Sequence, residues 1–138
     1  MIEFTVYGSP VAQGRPRFAR IGNHVRAYDP TKSKDWKSEV RWQAIERGAK
    51  IQDGPLDMIL YFFLPRPKSL PKKVQHHTKK PDLDNLCKSV KDGLKGICYH
   101  DDSQIICLIA RKGYVENGEQ PGVVVQIGPT LAPTSPAT

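Results

Sequence analysis

Apolar residues recur along this chain with two different periods, and the switches between them predict its elements. Ile2, Phe4 and Val6 alternate with Glu3, Thr5 and Tyr7, the period-two pattern of a strand that buries one face. Gly8-Ser9-Pro10 ends that pattern. The stretch from Gly14 to Arg26 reads as a loop, and Asp29-Pro30-Thr31 opens a helix reaching about Ala49, with Trp36, Val40 and Ala44 four apart and Gly48 near its end. After Gly54-Pro55, Leu56 to Leu64 is a mostly apolar strand, and Pro65 to Pro81 a long loop with four prolines. A second helix fills Asp82 to about Lys95. Ile105 to Val115 and Val123 to Ile127 are strands, and Asn117-Gly118 between them predicts a hairpin. The order is β-α-β-α-β-β, which predicts an α+β fold with one mixed sheet and two helices packed on it.

At 138 residues the chain is one domain by length, residues 1–127, with an uncharged tail of mostly Pro, Thr and Ala from 128 to 138 that reads as disordered. Hydrophobic content of 38% with 25% charged residues excludes a largely disordered chain. No run is long enough for a membrane span, and Met1 to Val6 carries no leader pattern, so a cytoplasmic protein is expected. Three cysteines without a Cys-x-x-Cys spacing fit a reducing compartment. A zinc site from Cys98, His100 and Cys107, with His76 or His77, matches no ligand spacing with a physical warrant.

Charge changes the picture. The net charge is +7, and the excess is concentrated in two acid-free stretches. Gly14 to Arg26 holds Arg15, Arg17, Arg20 and Arg26, and Arg66 to Lys80 holds Arg66, Lys68, Lys72, Lys73, Lys79 and Lys80. One such run is ordinarily solvated surface. Two of them, one leading straight into a cluster of carboxylates, favour contacts to the phosphates of a nucleic acid.

The carboxylates form two groups, Asp82 with Asp84 and Asp101 with Asp102. On a helix beginning near Asp82, the residues Leu83, Leu86, Val90, Leu94 and Ile97 form an apolar stripe, and Asp84, Lys88, Lys91 and Lys95 a separate polar one. Each acid has a bland account: Asp82 as N-cap, Asp84 complementing the helix dipole or pairing with Lys88, and Asp101-Asp102-Ser103 as a polar turn. Those accounts do not explain the combination of basic loop, Asp-x-Asp, helical lysine and second Asp pair. A Mg2+ site would use it directly, because that ion takes carboxylate oxygens, water and phosphate. Asp82, Asp84 and Asp102 can supply the oxygens if the last strand pair starts near the helix N-terminus, with Lys88 stabilising charge on the phosphate or orienting water.

Lys80-Pro81-Asp82-Leu83-Asp84-Asn85-Leu86, Lys88, Gly96 and Asp101-Asp102-Ser103-Gln104-Ile105 resemble the RusA family of Holliday-junction resolvases, endodeoxyribonucleases of bacteria and their phages. Gly8-x-Pro10 and Gly14-Arg15-Pro16-Arg17-Phe18 resemble its phage and Gram-positive branch, and the likeness spans about residues 2–127. The resemblance implies a catalytic set of Asp82, Asp84, Lys88 and Asp102, with Asp101 orienting its neighbour or binding metal in an outer shell. It implies Mg2+ as cofactor, with Mn2+ able to substitute, and no nucleotide cofactor. It implies a homodimer that nicks two opposed strands of a four-way DNA junction. Lys79-Lys80-Pro81 stands where some members have an unbroken arginine run, so the DNA contacts differ in detail. DNA-contacting candidates are Arg15, Arg17, Arg20, Lys72, Lys73, Lys79 and Lys80. Competing readings are a less selective nuclease of branched or flap DNA, and a non-catalytic junction-binding protein.

Overall fold

A computed structural model describes residues 1–14, 17–28, 31–116 and 118–131, and the side chains of all these but 17–19, 21 and 26–28. The elements are β1 (Ile2–Tyr7), β2 (Arg17–Ile21), β3 (His24–Tyr28), α1 (Thr31–Glu46), β4 (Leu56–Leu64), α2 (Leu83–Leu94), a 3-10 turn at Asp102–Gln104, β5 (Ile105–Tyr114) and β6 (Gly122–Pro129). Four strands make one mixed sheet in the order β1-β6-β4-β5, and β2 with β3 forms a separate two-stranded ribbon. The α+β class, the single mixed sheet and the two helices are as the sequence pattern predicts.

Alternation decides which face of the sheet is core. Along β4, Leu56, Met58, Leu60, Phe62 and Leu64 are buried while the residues between them are half-buried or exposed. Phe4 and Val6 of β1 and Val123, Val125 and Ile127 of β6 join them. Trp36, Val40 and Ala44 of α1, with Leu86, Val90 and Leu94 of α2, complete the same cluster, so both helices lie on one face. Leu83 and Ile97, the ends of the apolar stripe, pack against it while half-buried. The helices meet closely at Gly93. A Cβ there would stand 3.1 Å from the Lys37 carbonyl oxygen and 3.4 Å from the Val40 side chain, so a larger residue would push α2 away from α1.

Two sequence expectations are corrected. The arginine-rich stretch read as a loop is a β-ribbon, with Ile21 paired to His24 around Gly22-Asn23 and Gly22 in the left-handed region at φ +60°. The expected hairpin between the last two strands does not form: β5 pairs in parallel with β4, and β6 pairs antiparallel with the other side of β4. The connection containing Gly118 therefore crosses the end of β4 rather than turning back on β5. The reason is burial: β4 carries buried residues at every second position, and a strand on each side satisfies its backbone.

At the other end, β6 runs to Pro129, two residues beyond the expected boundary of the domain. Thr130 and Leu131 are then held by Asp57, through Thr130 Oγ1 to Asp57 Oδ1 at 2.8 Å and Leu131 N to Asp57 Oδ2 at 3.1 Å. The rest of the predicted tail, 132–138, lies outside the described residues. Among the described residues no helix is long and apolar enough to cross a membrane.

Candidate metal and nucleic-acid site

Asp82 sits at the N-cap position of α2 with φ −72° and ψ 143°, and its carbonyl oxygen accepts from Leu86 N at 3.1 Å. Its carboxylate makes no capping bond. Asp84 lies in the first turn, where its charge suits the helix dipole. Asp82, Asp84 and Lys88 are all exposed. Among the described residues Asp84 and Lys88 form no ion pair, although they stand one turn apart. Of the ordinary structural accounts of these acids, the cap and the helical pair are unmet among the described residues, and the helix dipole alone accounts for Asp84.

Three contacts fix this end of α2 against its surroundings. Gln13 N donates to Asn85 O at 3.0 Å, which brings the segment after β1 to the first turn of the helix. Lys112 Nζ donates to Lys79 O at 2.7 Å and to Pro81 O at 2.9 Å, which ties the chain before Asp82 to β5. The long basic loop is folded on itself by Arg66, whose guanidinium donates to Val74 O and Pro71 O, both at 2.8 Å. Arg66 and His77 both lie against the Tyr114 ring, at 5.3 Å and 4.7 Å. Burial first and the Lys112 charge second hold the His77 imidazole below its ordinary pKa. Arg66, counted in sequence among the basic loop residues, thus spends its donors inside the loop.

Lys72, Lys73, Lys79 and Lys80 are exposed on that loop, with their charges open to solvent. Arg20 is exposed on the ribbon, and its Nε donates to Gly22 O at 3.3 Å. Arg17 opens β2, and Arg15 lies outside the described residues. The basic candidates whose side chains are described are therefore surface groups available to phosphate. Of the two segments that carry them, the basic loop runs directly into the N-terminus of α2.

The second acid pair has a different character. Asp101 closes a capping box on the 3-10 turn: its carboxylate accepts from Ser103 N at 3.1 Å, while Gln104 Oε1 accepts from Asp101 N at 3.1 Å and His100 N at 2.7 Å. Lys95 Nζ lies 3.1 Å from its other oxygen. The Ser103 donors first, and then the Lys95 ammonium, hold the Asp101 carboxyl well below the usual carboxylate range. Gln104 is itself anchored by Nε2 to Gln52 O at 2.8 Å and Gly54 O at 3.0 Å. Asp102 is half-buried, and its Oδ1 is shielded from water without a hydrogen-bond partner. A carboxylate oxygen left this way is expensive unless a cation meets it.

The two acid pairs are not brought together within one chain. Asp101 is tied to Lys95 at the C-terminal end of α2, about 16 Å of helix rise from Asp84. The same separation follows from β5: Lys112 lies beside the chain entering Asp82, while Asp102 precedes Ile105, about 23 Å of strand away from Lys112. The condition under which Asp82, Asp84 and Asp102 would form one site, a last strand pair starting near the N-terminus of α2, is unmet in the single chain. In keeping with this, no group of three His, Cys, Asp or Glu among the described residues is placed to hold a metal ion. The chemistry of the donors still suits a hard cation: all are carboxylate oxygens, the Asp82 carboxylate makes no capping bond, and Asp102 Oδ1 has no hydrogen-bond partner among the described residues.

Sequence reasoning did not single out Lys112 or Gln13. Lys112 had a readable signal, being a cation on the parity of β5 shared with Ala110, which packs on the core. Gln13 acts through its backbone amide and had none.

Compared with known proteins, residues 7–128 match the family described as endodeoxyribonuclease RusA. The chain is also 42% identical over 137 residues to "Uncharacterized protein YqaN" of Bacillus subtilis (strain 168), covering 91% of this chain and 94% of that protein.

Proposed function

This chain belongs to the RusA endodeoxyribonuclease family, and on that premise we propose that it resolves four-way DNA junctions as a Mg2+-dependent homodimer. The observation that carries the reading is the pair of exposed carboxylates, Asp82 and Asp84, directly after the basic loop, with Asp82 making no capping bond, Asp84 in no ion pair among the described residues and Lys88 one turn above. A protein that only bound DNA would gain nothing from bare acids next to its phosphate-contacting loops. Hydrolysis gives them a use.

In this reading Asp82, Asp84 and Asp102 hold the metal. When bound, Mg2+ polarises the phosphodiester and lowers the pKa of the attacking water. The residues do the rest. Lys72, Lys73, Lys79 and Lys80 hold the strand by its phosphates, and Lys88 neutralises charge growing on the non-bridging oxygens. Water adds to phosphorus, one bridging P–O bond breaks, and the two ends leave as a phosphate and a hydroxyl. Asp101 keeps its neighbour oriented through the capping box.

A homodimer fits both substrate and chain. A four-way junction has two strands of like polarity to cut, and a two-fold axis places an identical site at each. The separation of the acid pairs along α2 gives the second copy a further part: it brings its Asp102 end to the Asp82 end of the first.

Cleavage of a four-way junction, a flap and a linear duplex, each with Mg2+ and with EDTA, tests the substrate and the metal. Selective nicking of the junction that EDTA abolishes is expected. Equal cutting of flap and junction would favour the broader nuclease, and binding without cutting the non-catalytic reading. Sedimentation equilibrium at micromolar protein tests the dimer, which a strict monomer with and without junction DNA would exclude.

A further inference from the structure

Residues 65–82 form neither helix nor strand, yet they deliver Asp82 and Asp84. Something outside the loop must fix where it ends. Lys112 is placed to do so. It occupies the register position beside Phe62, a fully buried residue of β4, on the strand parity that faces the helices. An ammonium at such a position needs acceptors, because leaving a charge half-buried without them is costly. Its two acceptors are the carbonyls of Lys79 and Pro81, at 2.7 Å and 2.9 Å, one residue on either side of Lys80.

Two bonds from one rigid strand to alternate carbonyls define a direction as well as a position. We propose that Lys112 is a positioning residue: it locks the Lys79–Pro81 backbone onto β5 so that Asp82 and Asp84 leave the loop in one fixed orientation. This rests on the reading of those two acids as the hydrolytic carboxylates. Lys112 itself touches neither substrate nor metal. Its ammonium faces inward to the loop, whereas Lys79 and Lys80 are exposed. Around it stand His77, which feels its charge, and Tyr114 two residues on, which His77 and Arg66 both contact. The whole basic loop is thereby hung from the last turns of β5.

Lys112→Met keeps the aliphatic stem and removes the donors. Amide hydrogen exchange of residues 80–86 is then expected to quicken by roughly tenfold or more, while β4 and β6 amides stay protected. Cleavage at saturating junction should fall by a similar factor, with a higher Mg2+ concentration for half-maximal rate and an unchanged junction Kd. Lys112→Arg, which can still reach both carbonyls, should recover most of each loss. Should Lys112→Met fail to fold, Lys112→Gln carries the same comparison. Unchanged exchange at 80–86, or loosening spread evenly over the domain, overturns the proposal. So does a weaker Kd with a salt slope lower by one, which would make Lys112 a phosphate contact. If the wild type cuts nothing, the nuclease reading fails while the exchange result still judges the lock.

Discussion

The two acid pairs of this chain are built oppositely. Asp101 is committed: Ser103, Gln104 and Lys95 take up its bonds, and the Gln104 side chain ties the turn to Gln52 and Gly54. Asp82 and Asp84 are bare, and the strand of backbone that presents them is gripped from behind by Lys112. At one end the carboxylate is part of the scaffold. At the other the scaffold stops at the backbone, and the carboxylates themselves stand exposed. Asp102 stands between these conditions, with one oxygen sealed and unpartnered beside a neighbour that is fully engaged. Charge alone does not distinguish the two kinds of acid; the count of protein donors does.

The largest effect is expected where the donors are missing. Asp82→Asn, Asp84→Asn and Asp102→Asn should each lower junction cleavage by roughly a hundredfold or more, with binding intact or tighter. Mixed dimers sharpen the contrast. Asp82→Asn and Asp102→Asn protomers, each inactive alone, should on co-refolding regain about a quarter of the wild-type nicking sites, because the mixed dimer keeps one complete set. No recovery would mean that the two ends do not work across copies.

Lys88→Ala comes next. With no ion pair to lose, it should leave the melting temperature unchanged and reduce the cleavage rate by about a hundredfold. A normal rate would return Lys88 to the solvated surface. Asp101→Ala should do the reverse in kind: a lower melting temperature and about a tenfold slower reaction. Its carboxyl titrates in the folded protein below the ordinary value of 3.8. The stabilisation it gives is therefore complete above that value and fades as pH falls through the lower one. The melting gap between wild type and Asp101→Ala should be level above about pH 4 and narrow beneath it. The smallest effects belong to Lys72, Lys73, Lys79 and Lys80. Neutralising any one should weaken binding to all junction sequences alike and flatten the salt dependence by about one unit.

Much of the fold was legible because burial imposes a period. Leu86, Val90 and Leu94 on α2 and Trp36, Val40 and Ala44 on α1 announce their faces by spacing alone, and all six are buried. The ribbon was less legible. Its strands, Arg17–Ile21 and His24–Tyr28, do not pair with the main sheet, so no core demands a strict alternation. Only the two-residue Gly22-Asn23 turn could have signalled it. Asn117-Gly118 misled for the opposite reason: a hairpin signal is local, and the choice of β4 as neighbour for both β5 and β6 is made by the core. The same limit applies to the acids. Sequence spacing puts Asp82, Asp84 and Lys88 on one helical turn or near it, but a parallel crossover carries Asp102 to the far end of the sheet.

The register of β1 with β6 has a consequence for how the molecule can be rebuilt. Ile2 pairs with Ile127, and a Cβ on Gly128 would lie 2.8 Å from Met1 Cα, so the chain enters and leaves the domain at adjoining points. Those points share an edge with Leu56 and Ile105, the starts of β4 and β5, on the side of Asp102 and away from Asp82. A short linker could join the two ends there and the ring be cut at Gly22-Asn23, giving a permuted chain with every strand pair of the main sheet intact. Under the proposed pairing of copies, a reporter or surface tether fused beside Met1 or Leu131 would crowd the Asp102 end, and with it the joint to the partner's Asp82 rim.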